Sequence, residues 1–217
     1  MTATIATIAA ASVASTVATV VPAKPTGTTT GDLLLACCWS DNQTSTWTSP
    51  GFTAEANPGA GTGVLWRIAD GSEGSTFTFT RAVNTINAAC VVVIRIDAGT
   101  FDPADPIDTV GLFSTGSAAS FVIPSQSPTG TDNLFVQVLG RGFVAADSWT
   151  PPGGTTERDD AAAAGTGIRY AVGDEVVGAG ATGTRTWTHT ASSGRGFGLT
   201  VNPVPVANQN SAFLALL

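Results

Sequence analysis

The histidine content limits the catalytic chemistry open to the chain. Its one histidine, His189, lies in the alternating segment Thr-Trp-Thr-His-Thr. A Ser-His-Asp triad would have to use His189 as its base, and the sequence lacks the Gly-x-Ser-x-Gly elbow that presents a nucleophilic serine. Strand alternation puts His189 on the same face as Trp187, at the edge of a core or on a strand surface. We therefore predict that the chain is not an enzyme.

Acidic residues gather in turn-like segments. A glycosidase needs two carboxylates across a cleft, whereas Asp in Gly/Pro-rich turns normally accepts backbone N–H groups. The turn role is the interpretation we favour. Calcium is the alternative for one segment, because Asp-x-x-Asp-x-x-Asp can offer oxygen ligands, although the glycine and bidentate glutamate of an EF-hand are missing. That segment contains Asp102, Asp105 and Asp108, and the other acidic pairs are Asp70 with Glu73 and Asp159 with Asp160.

The cysteines and glycines predict no cofactor. Three cysteines and one histidine are too few for a structural zinc site without several carboxylates. Cys37 and Cys38 are adjacent and point to opposite faces of a strand, so we expect buried free thiols; a bridge from Cys90 to one of them is the alternative. The glycines at 59–63 precede a strand instead of opening a helix, which indicates a hairpin turn and not a nucleotide loop.

Five tryptophans could stack on sugar rings: Trp39, Trp47, Trp66, Trp149 and Trp187. Two of them, Trp47 and Trp149, stand just before similar Pro-Gly turns about one hundred residues apart. This equivalence favours core packing, in which a large ring fills the end of a sandwich. A sugar-binding platform remains the alternative.

Charge is scarce throughout the chain. Charged residues make up 12% of its 217 residues, the formal net charge is −7, and Lys24 is the single lysine. Nucleic-acid binding needs clustered cations, which are absent from the sequence. No apolar run reaches the length of a membrane-spanning helix, and the N-terminus lacks the basic and apolar regions of a secretory signal. We expect a protein that is made in a cytoplasm, binds no nucleic acid or membrane, and packs against neighbours.

The chemistry-bearing residues lie on predicted strands and turns. Phe77 and Phe79 alternate with threonine in segment 75–81, and 89–96 is almost continuously apolar, as in a strand covered on both faces. The pattern then recurs in order. The matching segments are 31–35 with 131–136, 47–51 with 149–153, 61–64 with 165–168, and 77–80 with 185–188. The sequence thus predicts an all-β, jelly-roll-like sandwich of two pseudo-equivalent halves.

The predicted boundaries follow from this repeat. An N-terminal strand or arm covers 1–24, and the duplicated sandwich covers 25–203. Within the sandwich the halves are 25–97 and 124–203, joined by a crossover at 98–123. An apolar tail covers 204–217.

Several motifs within 25–203 resemble a module of tailed-phage virion structural proteins, also found in some bacterial surface proteins. The motifs are Gly31-Asp32-Leu33-Leu34, Trp66-Arg67-Ile68-Ala69-Asp70-Gly71-Ser72-Glu73, Asp105-Pro106-Ile107-Asp108, Pro151-Pro152-Gly153-Gly154-Thr155-Thr156-Glu157-Arg158 and Gly180-Ala181-Thr182-Gly183-Thr184-Arg185-Thr186. The resemblance implies a β-sandwich with a structural or surface role in the virion. It supplies no catalytic residues.

Both ends of the chain are apolar, which predicts assembly contacts. The residues expected to make them are Ile5, Ile8, Phe213, Leu214, Leu216 and Leu217. We expect a virion-located capsid decoration (cement) protein that binds the major capsid protein or other virion subunits as a homo-oligomer, for which a trimer is plausible. The alternatives are a tail- or fibre-associated module that binds host glycan and, third, a polysaccharide-degrading enzyme.

Overall fold

The structure is a computed structural model that describes residues 2–13, 17–40, 46–56, 61–81, 88–111, 114–116, 119–141, 148–164, 168–189 and 194–205. Within these ranges the chain is all-β and contains no helix, as predicted. The strands are β1 (Ile5–Val13), β2 (Thr19–Val20), β3 (Leu33–Ser40), β4 (Trp47–Thr48), β5 (Thr53–Ala56), β6 (Thr62–Ile68), β7 (Phe79–Arg81), β8 (Ala89–Ile96), β9 (Ile107–Val110), β10 (Ser114–Gly116), β11 (Ser120–Ile123), β12 (Asn133–Arg141), β13 (Trp149–Thr150), β14 (Thr156–Ala162), β15 (Arg169–Val177), β16 (Arg185–His189) and β17 (Gly194–Val201).

The strands form two large and two small sheets, and the named strands pair antiparallel throughout. The first large sheet has the order β1-β8-β3-β6-β5, and the second has the order β10-β17-β12-β15-β14, with β9 also pairing with β17. The small sheets are β2-β7-β4 and β11-β16-β13. Each half of the chain therefore contributes one large and one small sheet in the same order.

The duplication extends further than the sequence indicated. β1 and β2 hold the places in the first half that β9 with β10 and β11 hold in the second. Residues 1–24, which we expected to form a strand or arm, supply β1 and β2 to the sheets, and the crossover at 98–123 supplies β9 to β11. The strand register also equates Asp32 with Asn133 and not with Asp132, because Leu33 and Leu134 hold matching places.

Four layers result from the stacking of these sheets. Alternate residues on the large sheets point to opposite sides. One side of each large sheet packs on its own small sheet, as Leu34 does beside Phe79 and Phe135 does beside Trp187. The other sides of the two large sheets meet in a central core, which contains Leu35 and Val136. Both faces of the large sheets are thus buried, which explains why the segment 89–96 is apolar at nearly every position.

Two of the contacts between the halves show how they meet. The edge strand β1 lies against the end of the second half, where Ala11 and Ala164 form a parallel bridge and the Ser12 N–H donates to the Ala164 carbonyl at 2.6 Å. In the central core, the Trp39 ring lies directly over Gly140, and a Cβ at Gly140 would come within 1.9 Å of Trp39 Cζ2. Trp39 and Gly140 hold equivalent positions in the two halves. One half therefore supplies the bulk that fills the space left by the other.

Candidate functional site

His189 lies inside the second half. The centroid of its imidazole ring is 4.5 Å from the ring centroid of Trp149, and only 5% of the residue is exposed. The backbone N–H of His189 donates to the Ala119 carbonyl. The structure thus packs this imidazole against Trp149 at the end of β16, the central strand of the small sheet, and not in an open cleft.

The three crossover aspartates do not converge on one point. The Asp108 carboxylate accepts hydrogen bonds from Thr129 N at 2.7 Å and from Asn133 Nδ2 at 2.7 Å. Asp102 instead accepts the N–H of Ala104, in its own turn. Across the described part of the chain, no group of three or more His, Cys, Asp or Glu side chains is placed to hold a metal. Asp108 and Asp102 therefore act as turn-stabilising acceptors.

Asp108 gives a test of the calcium alternative. We expect Asp108→Ala to lower the free energy of unfolding by about 1 kcal/mol, since it leaves the partly buried Asn133 amide without this acceptor, whereas the exposed Thr129 donors can bond to water. For a chain of this size, that corresponds to a melting temperature about 2–4 °C lower. Differential scanning calorimetry with calcium and with chelator should give the same value for the unaltered protein. A calcium-dependent rise that Asp108→Ala removes would contradict the turn role.

The other acidic pairs are bonded to arginine, tyrosine or backbone groups. Arg67 lies 2.9 Å from Glu73 and 3.3 Å from Asp70. Arg169 pairs with Asp160 at 3.1 Å, and the Tyr170 hydroxyl donates to Asp159. These contacts stabilise turns and the edge strand β14. They do not set two carboxylates facing each other across a cleft.

Sequence reasoning missed Asp174, which lies between the halves. Asp174 is almost fully buried. Both of its carboxylate oxygens lie 2.9 Å from Arg158 Nε, which donates to them, and the carboxylate also accepts the backbone N–H of Ile5 in strand β1. Burial raises the pKa of Asp174, and Arg158 opposes the rise. The only sequence signal was an acidic residue in the middle of a strand that also contains Ala171 and Val172, which indicates a partner without identifying it.

The thiols of Cys37, Cys38 and Cys90 are free and fully buried, and burial raises the pKa of each. The structure agrees with the free-thiol interpretation. We expect no thiol to react with Ellman's reagent in the folded protein and all three to react in guanidinium chloride, because the thiolate is the nucleophile and these thiols neither ionise nor meet solvent. Reaction of one thiol at the rate of a free cysteine under native conditions would contradict this placement.

The tryptophans offer no open platform. Four of the five are buried, and Trp66 is half-buried with its indole N–H donating to Glu55 at 2.9 Å. Trp47 and Trp149 hold equivalent places and are each 3% exposed. The structure therefore favours the predicted core role for the four buried tryptophans. Trp66 is only partly buried, and it packs against the outside of the central core.

The outer faces of the two small sheets carry matching rows of hydroxyl groups. In the first half, the cross-strand partners are Thr19, Thr80 and Thr48; in the second they are Ser120, Thr188 and Thr150. An exposed valine follows each row at an equivalent position: Val21 is 46% exposed and Val122 is 42% exposed. Each outer face thus presents an uncharged row of neighbouring hydroxyls with an apolar group beside it.

The predicted assembly residues have different placements. Ile5 is 8% exposed and belongs to the central core, and Ile8 is partly buried against it, so both pack within this chain. Phe213, Leu214, Leu216 and Leu217 lie outside the described residues. The last described residues, Val204 and Pro205, border a surface groove.

Comparison of the chain with protein families, with curated proteins and with solved structures finds no match. In the described ranges, no helix is long and apolar enough to cross a membrane.

Proposed function

We propose that this chain is a non-enzymatic structural protein of a tailed-phage virion, and specifically a capsid decoration protein that stabilises the shell. The resemblance of its motifs to virion modules suggests the setting. Its low charge content is consistent with a protein that packs closely against neighbours. The partners would be the major capsid protein or other virion subunits.

The two uncharged outer faces are the observation on which the proposal depends. Burying a charge costs much more than burying a hydroxyl that finds a partner, and the cores of protein interfaces are depleted of charged residues. The rows containing Thr80 and Thr188 carry hydroxyl groups and no charge, so burying them against a partner would cost little. The pseudo-symmetry presents one row at each end of the four-layer stack. Such a protein could contact two shell subunits at once.

The mechanism follows from mass action. A protein that binds the assembled shell but not free coat subunits stabilises the shell by the free energy of binding. A standard interface buries about 800 Å² on each partner, which is more than a three-stranded face alone provides. Loops around the small sheets would therefore take part.

The alternative, a tail or fibre module that binds host glycan, requires exposed aromatic rings. Buried positions for Trp39, Trp47, Trp149 and Trp187 count against it. Location of the protein on the phage tail would favour this glycan-binding alternative.

The test is to locate the protein on purified virions by electron microscopy and to measure its binding to empty shells. We expect density on the capsid, and we expect Thr80→Lys or Thr188→Lys to weaken shell binding at least tenfold, about 1.4 kcal/mol. Thr53→Lys, on the exposed edge strand β5, is the matched control and should bind normally. Tail density, or full binding by both outer-face variants, would overturn the proposal.

A further inference from the structure

An apolar groove of about 340 Å³ lies at the start of the first half's β3, beside the last described residues. It is lined by Ile68, Ala98, Gly99, Phe101, Pro103 and Val204. Water in a groove of this volume would number about ten molecules and would find few polar partners. An apolar occupant would therefore be favoured over water.

The groove on the opposite side of the same segment differs in character. It has about 350 Å³ and is lined by polar groups that include Asp102, Thr131 and Asp132. Val204 borders both grooves. An apolar ligand near Val204 would thus be directed to the first groove and not to the second.

The last described residues run along the groove in an extended conformation. A backbone bridge between Phe101 and Pro203 holds the segment at the groove, and Pro205 is exposed. Proline fixes its own φ and biases the preceding residue toward extended conformations. The Pro-Val-Pro sequence therefore resists an immediate turn back into the groove.

The segment that follows has a polar spacer and an apolar end. Residues 207–211 are Ala-Asn-Gln-Asn-Ser, and 212–217 are Ala-Phe-Leu-Ala-Leu-Leu. Phe213 comes eight residues after Pro205, which corresponds to a reach of about 26–29 Å when extended. That reach is long enough for the apolar residues to meet the groove of a second copy.

We propose that residues 212–217 of one copy bind in this apolar groove of a second copy. The inference deepens the proposed assembly role and rests on it. Groove and segment are different surfaces, so the contact is head-to-tail and gives a ring where the rotation closes. A three-membered ring would be the trimer considered from the sequence.

A complementation experiment tests the contact. One variant lacks residues 206–217 and retains the groove; the other, Ala98→Arg, retains the segment and places a charge in the groove. Ala98 is exposed, so the substitution should leave the fold intact. By light scattering after size exclusion, the unaltered chain should be oligomeric, each variant alone monomeric, and their mixture a one-to-one dimer.

Thr131→Arg, in the polar groove, is the matched control and should assemble like the unaltered chain. A monomeric mixture, or an Ala98→Arg variant that still assembles, would overturn the inference. Circular dichroism and melting temperatures of both variants exclude loss of fold as the cause.

Shell binding separates this inference from the proposed function. If the mixture fails to associate while the unaltered chain binds shells and Thr80→Lys or Thr188→Lys does not, the groove contact is wrong and the decoration role stands. If the two variants associate but the unaltered chain binds neither shells nor virions, the decoration role is wrong and the groove contact stands.

Discussion

Gly140→Ala is expected to lower the free energy of unfolding by about 3 kcal/mol, because overpacking a filled core costs 1–3 kcal/mol and occasionally more. The added Cβ would lie 1.9 Å from Cζ2 and 2.0 Å from Cε2 of Trp39, far inside contact distance. Trp39 is 5% exposed and is held between the two large sheets, so its ring has little room to move. Guanidinium denaturation should show the loss in free energy of unfolding. Thermal unfolding should show a melting temperature lower by about 6–12 °C.

Two comparisons isolate the Trp39 contact. Gly178→Ala is the matched control, since a Cβ there meets no atom within 4 Å, and it should change stability by less than about 1 kcal/mol. Trp39→Leu alone should cost about 3 kcal/mol through the cavity that it leaves. The double variant should be less destabilised than the sum of the two single variants, by at least about 1 kcal/mol. Additive effects would show that the two halves do not meet at this contact.

Asp32→Ala is the second large effect, also expected to cost about 3 kcal/mol. Asp32 is 2% exposed, and its carboxylate accepts the N–H groups of Thr29 at 2.8 Å and Ala98 at 2.9 Å. It also lies 3.7 Å from Arg95. Removing the carboxylate leaves these donors unsatisfied, at about 1–3 kcal/mol for each buried group. Chemical denaturation measures the loss directly.

The exposed turn at the start of the second half provides a control for Asp32. Asp132, which comes one residue before Asn133, the position equivalent to Asp32, is exposed, and Asp132→Asn should be nearly neutral because asparagine tolerates its positive φ of 61°. Equal losses for Asp32→Ala and Asp132→Asn would contradict the assigned roles. Asp32→Ala should also weaken self-association, since Ala98 lines the apolar groove.

The strands and the duplication could be predicted because both depend on local pattern. Alternation at 75–81 reflects one buried face, and it places Phe77 and Phe79 in the core. The repeated Trp before a Pro-Gly turn marks a place where each half needs a large ring, and Trp47 and Trp149 occupy it. The buried cysteines follow for the same reason, since a strand with apolar residues on both sides is covered on both faces.

The partners of polar residues could not be predicted, because they come from distant parts of the chain. Asp108 accepts hydrogen bonds from Thr129 and Asn133, which lie at the start of the second half. Asp174 accepts the backbone N–H of Ile5, which lies in the first strand of the chain. The three aspartates of the crossover share a spacing that suggested calcium, yet spacing along a turn does not fix where each carboxylate points.

By itself, the sequence determined an all-β fold and its division into two similar halves. Periodicity and repetition carry this information, since they reflect which face of each strand avoids water. Only the tertiary structure decided that the two halves stack as four layers, that Trp39 occupies the space over Gly140, and that β1 and β2 complete the first half. These features depend on packing between residues about one hundred positions apart, where shape complementarity leaves no local pattern.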